Sequence, residues 1–395
     1  MSPDGGVATR MPHLDNLRTI LVAWVIGGHA LLGYSAVGGW AYDEFHEVTF
    51  APPTELVLVA IIGPSGLFVI GLFFFIAGLL TERAVSRRGP GRYVRDRARR
   101  LGVPWLVSAL LLWPASVWLV ATTAGRDESF WWVLSHRAPL LDSGSLWFAL
   151  VLLIYSALFA LWRWLTGPPV PPGGRPLGGR HVVTAVAAVT AGSFVVRLWF
   201  SARSGQIGDL HLWQWPACAG MFVFGVVTAR HGWDRHIPDA VHRGCRTATL
   251  ATLILLPPLA LAAGVRDVAT DAVAFLGGPH PQALATAAVE GVLVVAGSVW
   301  LVGLAERRLG KAGRRARAWA RGAFGAFVIQ GPVLMALAAA LRGFDAPAGV
   351  KAPLVAAMAI AACFWIGARL PLVTARPHGS HRAVAPPPTD SPRPT

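Results

Sequence analysis

Apolar stretches long enough to cross a lipid bilayer recur along this chain of 395 residues, and they constrain its fold more than any other feature. A membrane-spanning helix needs roughly 20 predominantly apolar residues. Only 14% of the residues are charged, whereas an ordinary soluble domain carries about 25%. The sequence therefore predicts an all-α, polytopic transmembrane helical bundle. We expect about ten spans, near residues 17–36, 57–80, 102–122, 145–165, 182–201, 212–230, 247–264, 283–304, 323–341 and 352–371.

The distribution of basic residues predicts the orientation of this bundle. When the first span is taken to start inside, 28 of the 35 Lys and Arg residues fall on inner segments and seven on outer ones. Cytoplasmic loops of membrane proteins carry such an excess. We therefore expect a multi-pass protein of the cell (cytoplasmic) membrane with both termini in the cytoplasm. Topology and contact with the lipid bilayer then explain the net charge of +15, and nucleic acid is not expected as a partner.

The chain is predicted to form one membrane domain over residues 14–372. A short cytoplasmic segment, 1–13, precedes it, and a Pro-rich cytoplasmic tail, 373–395, follows it with a composition that predicts disorder. The three cysteines fall in or beside different spans, and no His/Cys spacing typical of a metal site occurs. The sequence thus predicts neither a disulfide framework nor a metal cofactor.

Two ionisable residues interrupt the first span, whose sequence is LDNLRTILVAWVIGGH. Arg18 and His29 are eleven residues apart, which places them on nearly the same helix face, roughly 16 Å apart along the axis. An ionisable side chain inside a span is costly and is interpreted first as part of a functional site. The alternative is that Arg18 marks the cytoplasmic edge and that His29 is a packing histidine.

The loop after the second span is rich in arginine. Glu82 to Leu101 carries eight Arg and no Lys, and the planar guanidinium suits bidentate contacts with phosphate. The surface that these arginines form is therefore a candidate for holding the phosphates of a nucleotide-like cofactor. A topology anchor beside anionic lipid explains the same composition.

Polar residues near or within later spans are candidates for substrate binding. Asp209, His211 and Trp213 stand at the expected outer mouth of the sixth span, where carboxylate, imidazole and indole groups suit a sugar ring. Glu290 and Gln330 lie inside spans, and each has the simpler alternative of pairing with a neighbouring helix. Tryptophans at span ends, Trp113 and Trp147 among them, are expected in the membrane–water interface.

Taken together and in order, several motifs resemble those of the acyltransferase 3 family of integral membrane proteins. The opening signature, Leu-Asp-x-x-Arg, ten residues and His, is met by Arg18 and His29. An Arg-x-x-Arg-Leu-x-x-Pro element is met by Arg97, Arg100 and Pro104. SLWFALVLLIY (145–155) resembles the family's Leu-Trp-Phe segment.

Two further motifs depart from the family pattern. GLFFFIAGLL (71–80) has Ala77 where Ser is usual, and GAFVIQGPVLM (325–335) has Phe327 for Tyr and Gln330 for His. A mechanism that requires a second histidine at 330, or a hydroxyl at 77, is therefore not supported by these residues.

The resemblance implies transfer of an acyl group, commonly acetyl, from cytoplasmic acyl-CoA to a hydroxyl of an extracytoplasmic carbohydrate or a small molecule. His29 would be the general base or an acyl carrier. Arg18 would orient the thioester or stabilise developing negative charge. Arg97 and Arg100 would contact the CoA phosphates.

Some relatives complete the transfer with a fused hydrolase-like domain. A separate periplasmic or extracellular transferase, or a second copy of this chain, is the protein partner that the resemblance leaves open. A secondary transporter or a lipid or glycan flippase without acyl-transfer activity is the main alternative function, and a scaffold or sensor is a further one.

Overall fold

A computed structural model describes residues 11–35, 48–136, 141–168, 176–202, 210–265, 273–311 and 313–370. Within these ranges the chain is helical and contains no β-strand. The α-helices are α1 (Pro12–Leu32), α2 (Pro52–Arg88), α3 (Pro90–Arg97), α4 (Val103–Val107), α5 (Trp113–Thr123), α6 (Phe130–His136), α7 (Trp147–Thr166), α8 (Gly179–Arg197), α9 (Trp215–His231), α10 (Asp239–Ala262), α11 (Val273–Leu276), α12 (Pro281–Arg308), α13 (Arg314–Ala340) and α14 (Ala348–Gly367).

The predicted polytopic helical bundle is confirmed. Among the described residues, nine helical runs are long and apolar enough to cross a membrane, and they correspond to the second to tenth predicted spans. The first predicted span corresponds to α1, which has 21 residues and is about 31 Å long. It is not among the nine because Asp15, Asn16, Arg18 and His29 reduce its apolar character. Residues 1–10 and the predicted tail, 373–395, lie outside the described residues.

Polar contacts join the helix ends that carry most of the arginines. Arg83 at the end of α2 pairs with Asp234, just after α9. Arg307 at the end of α12 donates to Asp239 at the start of α10 at 2.8 Å. The Asn16 amide, in the first turn of α1, donates to the Leu309 carbonyl at 2.8 Å. The starts of α1 and α10 and the ends of α2, α9 and α12 therefore share one end of the bundle, called the basic end below.

Glycines permit the closest helix packing in the bundle. A Cβ at Gly78 of α2 would overlap the Phe222 carbonyl oxygen, and a Cβ at Gly225 of α9 would overlap the Phe75 carbonyl oxygen. Small residues that let backbones approach are typical of membrane helix interfaces. This contact fixes α2, which lines both cavities described below.

The helices α3, α4 and α5 form one continuous run from Pro90 to Thr123, interrupted by two π-helical turns. In the first of them, Ala98–Gly102, the Val103 N–H donates to the Ala98 carbonyl five residues earlier. Pro104 follows directly and has no N–H to offer the preceding turn. A π-turn before a proline absorbs the missing hydrogen bond and rotates the side chains of that turn.

Candidate active site

Two cavities lie end to end inside the bundle. The first, called the basic cavity, has a volume of about 350 Å³ and is formed by residues toward the basic end, including Arg18, Arg97 and Arg100. The second, called the histidine cavity, has a volume of about 330 Å³ and lies toward the opposite end, where it is lined by His29 and His211. Each cavity is of the size typical of small-molecule sites.

Four arginines from three separate segments converge on the basic cavity. Arg18 comes from α1, Arg97 and Arg100 from the run after Pro90, and Arg321 from α13. Asp15, one turn before Arg18, is the acidic residue lining this cavity. Four guanidinium groups against one carboxylate leave the cavity strongly positive, which suits a polyanionic ligand such as a phosphate ester.

Arg97 is held in place by a hydrogen-bond network. Its Nε donates to the Tyr93 hydroxyl at 3.1 Å, and its guanidinium lies 5.3 Å from the centre of the Tyr93 ring. The same hydroxyl is 2.8 Å from the Thr81 Oγ1 of α2. Tyr93 and Thr81 are both buried, so α2 and α3 together fix the direction of Arg97.

In the histidine cavity, the imidazole of His29 is oriented by Gln330 from α13. The Nδ1 of His29 lies 3.1 Å from the Gln330 Oε1. An amide oxygen only accepts hydrogen bonds, so this contact assigns the proton to Nδ1 and the lone pair to Nε2. In this tautomer Nε2 is the ring nitrogen that can accept a proton. Gln330 is fully buried and lines neither cavity.

A carboxylate and a second histidine complete the polar wall of the histidine cavity. The Asp142 carboxylate accepts hydrogen bonds from the Trp113 indole at 2.6 Å and from the Gly144 backbone at 2.7 Å. His211, just before the ninth helix, adopts a left-handed backbone conformation with φ of 49° and packs on Trp147 with ring centres 4.7 Å apart. Burial lowers the pKa of His211 to about 4, although Asp142 opposes the shift.

Three phenylalanines line both cavities. Phe73 of α2, Phe148 of α7 and Phe327 of α13 are the residues that the two linings have in common. Phe327 makes edge-to-face contacts with both others, at centroid distances of 6.0 Å to Phe73 and 4.5 Å to Phe148. This set, called the phenylalanine septum below, stands between the arginines and His29.

Comparison with protein-family models decides the class of this protein. A model described as an acyltransferase domain matches residues 11–368, which includes every helix of the bundle. The chain belongs to the acyltransferase 3 family. It is therefore a multi-pass membrane acyltransferase, a transferase of groups other than aminoacyl groups. Comparison with curated proteins and with solved structures finds no match.

The acyltransferase places its two predicted catalytic residues in different cavities. Arg18 lines the basic cavity together with Arg97 and Arg100, whereas His29 lines the histidine cavity. Helix α1 does carry both residues as the spacing predicts, but rings from three other helices come between them. Their common helix face thus does not place Arg18 and His29 in one cavity.

The predicted substrate-binding residues of the acyltransferase separate into distinct environments. His211 lines the histidine cavity. Trp213 instead lies over the guanidinium of Arg197 at 5.2 Å, and Arg197 donates to Glu290 at 2.7 Å in an almost fully buried ion pair. Neither Trp213 nor Glu290 lines the two cavities, so their role in substrate binding stays a prediction. Asp209 lies outside the described residues.

Several residues of the acyltransferase site were not predicted. Asp142 is isolated in the sequence, with no motif to mark it, whereas Arg321 ends the basic loop Glu306–Arg321, which carries no further motif that singles it out. The expectation of an interfacial position was wrong for Trp113 and Trp147, which are 3% and 6% exposed and line the histidine cavity. Tryptophan near a span end predicts an interface belt, and only the inward packing of these helices decides otherwise. Among the described residues, no group of three His, Cys, Asp or Glu could hold a metal ion.

Proposed function

We propose that this acyltransferase moves an acyl group, in the first instance acetyl, from acyl-CoA to a hydroxyl group of a carbohydrate or other envelope or secreted acceptor. The observation that carries the proposal is the pair of adjoining cavities, one with four arginines and one with His29. A phosphorylated thioester requires a basic cavity and an uncharged polar acceptor requires a cavity without that excess of arginine, and transfer requires the two side by side.

The basic end is assigned to the cytoplasm, in line with the excess of Lys and Arg in cytoplasmic loops. Acyl-CoA would then enter from the cytoplasm, with its phosphates on Arg97 and Arg100 and its thioester toward Arg18. Because guanidinium groups form charge-assisted hydrogen bonds with phosphate, these arginines account for recognition of the donor. Arg18 orients the thioester end of the donor toward the histidine cavity before transfer.

His29 acts as the general base. Its Nε2 takes the proton of the acceptor hydroxyl, and the oxygen forms a bond with the thioester carbonyl carbon. The carbon–sulfur bond then breaks, and the leaving thiolate receives the proton from the imidazolium of His29. Gln330 keeps the ring in the tautomer that this step needs, since it accepts the Nδ1–H.

The acceptor occupies the histidine cavity. Trp24 and Trp147 supply aromatic surface for the apolar face of a sugar ring, and Asp142 and His211 supply hydrogen-bonding groups. Binding sites for small polar ligands combine apolar walls with a few placed polar groups in this manner.

A comparison of cells tests the proposal. O-acyl groups are released by mild alkali from envelope glycans and from secreted metabolites, and then quantified in cells with no protein, with wild type and with His29→Ala at equal membrane abundance. We expect one class of ester to require the wild-type protein. Identical ester content in all three would reject the proposal and favour the transporter alternative, for which substrate flux in vesicles is the direct measurement.

A further inference from the structure

The phenylalanine septum is the one boundary between the two cavities, and it bears on what the acyltransferase can transfer. Among the residues that the structure describes, every other residue that lines a cavity lines only one of them. Arg18 and the other arginines are on one side of the three rings, and His29 is on the other. An acyl carbonyl held by the arginines must therefore pass these rings to meet a hydroxyl activated by His29.

The septum rings are more exposed than the phenylalanines of α2 that are packed in the core. On α2, Phe74 and Phe75 are 0% and 2% exposed, whereas their neighbour Phe73 is half-buried because it faces space on two sides. Phe148 is half-buried as well, and Phe327 is 9% exposed. Each ring comes from a different helix, so a small rotation of one ring changes the gap without moving the backbone.

We propose that Phe73, Phe148 and Phe327 set the acyl-group specificity of the enzyme by limiting the width, rather than the length, of the acyl group that reaches His29. The inference rests on the proposed function. A straight acyl chain is one methylene wide at every point, so lengthening it adds little resistance at a narrow gap. The histidine cavity beyond, at about 330 Å³, has room for the extra length. A branch next to the carbonyl widens the group at the point that must pass the rings.

Phe327→Ala is the variant that tests this inference, because Phe327 contacts both other rings. The measurement is the ratio of kcat/KM for isobutyryl-CoA to that for n-butyryl-CoA, two donors with the same number of carbons and different widths. We expect the wild type to prefer the straight chain, and Phe327→Ala to raise the ratio by at least about tenfold, the scale of steric discrimination in apolar pockets. Phe327→Leu, which removes less volume, gives an intermediate ratio.

Phe159→Ala is the matched control. Phe159 is also 9% exposed and also packs against two rings, Trp162 and Phe222, but it lines neither cavity. The control loses a comparable amount of packing, and its donor ratio should stay within about twofold of the wild type. A ratio that is unchanged in Phe327→Ala, or changed equally in Phe159→Ala, overturns the inference.

A second measurement does not depend on catalysis. Gly66 lines only the histidine cavity, and a Cβ there would meet no atom within 4 Å, so Gly66→Cys fits without strain. In proteoliposomes, a membrane-impermeant methanethiosulfonate added from the basic end should label this cysteine at least about tenfold faster with Phe327→Ala than without it. The native cysteines, which are buried, are replaced by Ala in every arm.

The two measurements separate the septum from the proposed function. If the wild type transfers no acyl group but labelling accelerates with Phe327→Ala, the septum stands as a barrier and the acyl-transfer proposal fails. If transfer occurs and neither the donor ratio nor the labelling rate responds, the acyl-transfer proposal stands and the septum inference fails.

Discussion

The two cavities differ in how the chain supplies their polar groups. In the basic cavity the charges are borne by helices near their ends, as with Arg18 of α1 and Arg321 of α13. In the histidine cavity the polar residues other than His29 come largely from connections between helices, as with Asp142 before α7 and His211 before α9. Connections allow more variation in side-chain placement. Under the proposed function, we expect donor recognition to depend on the helical scaffold and acceptor recognition to be altered more easily.

His29→Ala should have the largest effect, confined to the chemistry of the histidine cavity. A general base contributes about 10²–10⁴-fold to a rate, so we expect kcat to fall by that factor while the affinity for CoA stays unchanged. His29→Gln retains a polar side chain without basicity and should be nearly as inactive. The measurement is acyl transfer by purified protein, together with CoA binding by calorimetry.

The control for this prediction is His231→Ala. His231 packs on Trp233 and lines neither cavity. If His29→Ala transferred acyl groups at the wild-type rate, the assignment of the chemistry to the histidine cavity would be wrong.

The double variant Arg97→Gln and Arg100→Gln should produce the next largest effect, confined to the basic cavity. Hydrogen bonds to charged groups contribute about 1.5–3 kcal/mol each, so we expect the Kd for CoA to rise by at least about tenfold, with little change in acceptor KM. Arg99→Gln is the matched control, because Arg99 lies between them in the sequence and lines neither cavity. An equal loss of CoA affinity in Arg99→Gln would indicate that the positive charge of this segment attracts anions in general, without a specific role for Arg97 and Arg100.

Gln330→Leu tests whether the tautomer of His29 matters. The variant removes the acceptor for the Nδ1–H while keeping similar volume, and a hydrogen bond of this kind contributes about 0.5–1.5 kcal/mol. We expect kcat to fall by about threefold to tenfold with no change in donor Kd. Gln330→His, which restores an acceptor at this position, should recover most of the rate. A Gln330→His variant as slow as Gln330→Leu would indicate that volume, and not the hydrogen bond, matters here.

Removal of the His211 imidazole should have the smallest effect on catalysis, confined to acceptor binding. The left-handed backbone at this position, with φ of 49°, is tolerated by Asn more readily than by Ala. We therefore expect His211→Asn to keep the fold and to raise acceptor KM by about threefold, within the contribution of one hydrogen bond. His211→Ala should show the same rise together with a lower melting temperature. A change in donor Kd in either variant would contradict the separation of the two sites.

Sequence reasoning predicted the α1 pair and the arginine element because each is a short-range pattern. The common face of Arg18 and His29 follows from helix geometry within one element. Arg97 and Arg100 are close in sequence, and the resemblance to a family motif singled them out within the arginine-rich loop. The same reasoning did not predict Asp142, because its significance depends on Trp113, 29 residues away. It also assigned Trp113 and Trp147 to the interface, since the sequence does not show which side of a helix end faces protein.

Gln330 has features that the sequence shows and a contact that only the structure shows. Its sequence position marks it as a departure from the family pattern and as a polar residue within a span. Its contact with His29 joins residues 301 positions apart, a pairing that no local pattern encodes. The structure shows Gln330 as a hydrogen-bond partner of His29, and its role in substrate binding stays a prediction.

The helical bundle, the family motifs and the basic end can be read from the amino-acid sequence, because hydrophobic length, motif spacing and charge excess are properties of single segments. The placement of Arg18 and His29 in separate cavities depends on tertiary packing. That division depends on Phe73, Phe148 and Phe327 arriving from α2, α7 and α13 at one point. Phenylalanine in a membrane helix is compatible with contact to lipid, to core or to a cavity. The packing of helices that are distant in sequence decides among these three environments. The pattern of side chains within one helix does not specify that packing.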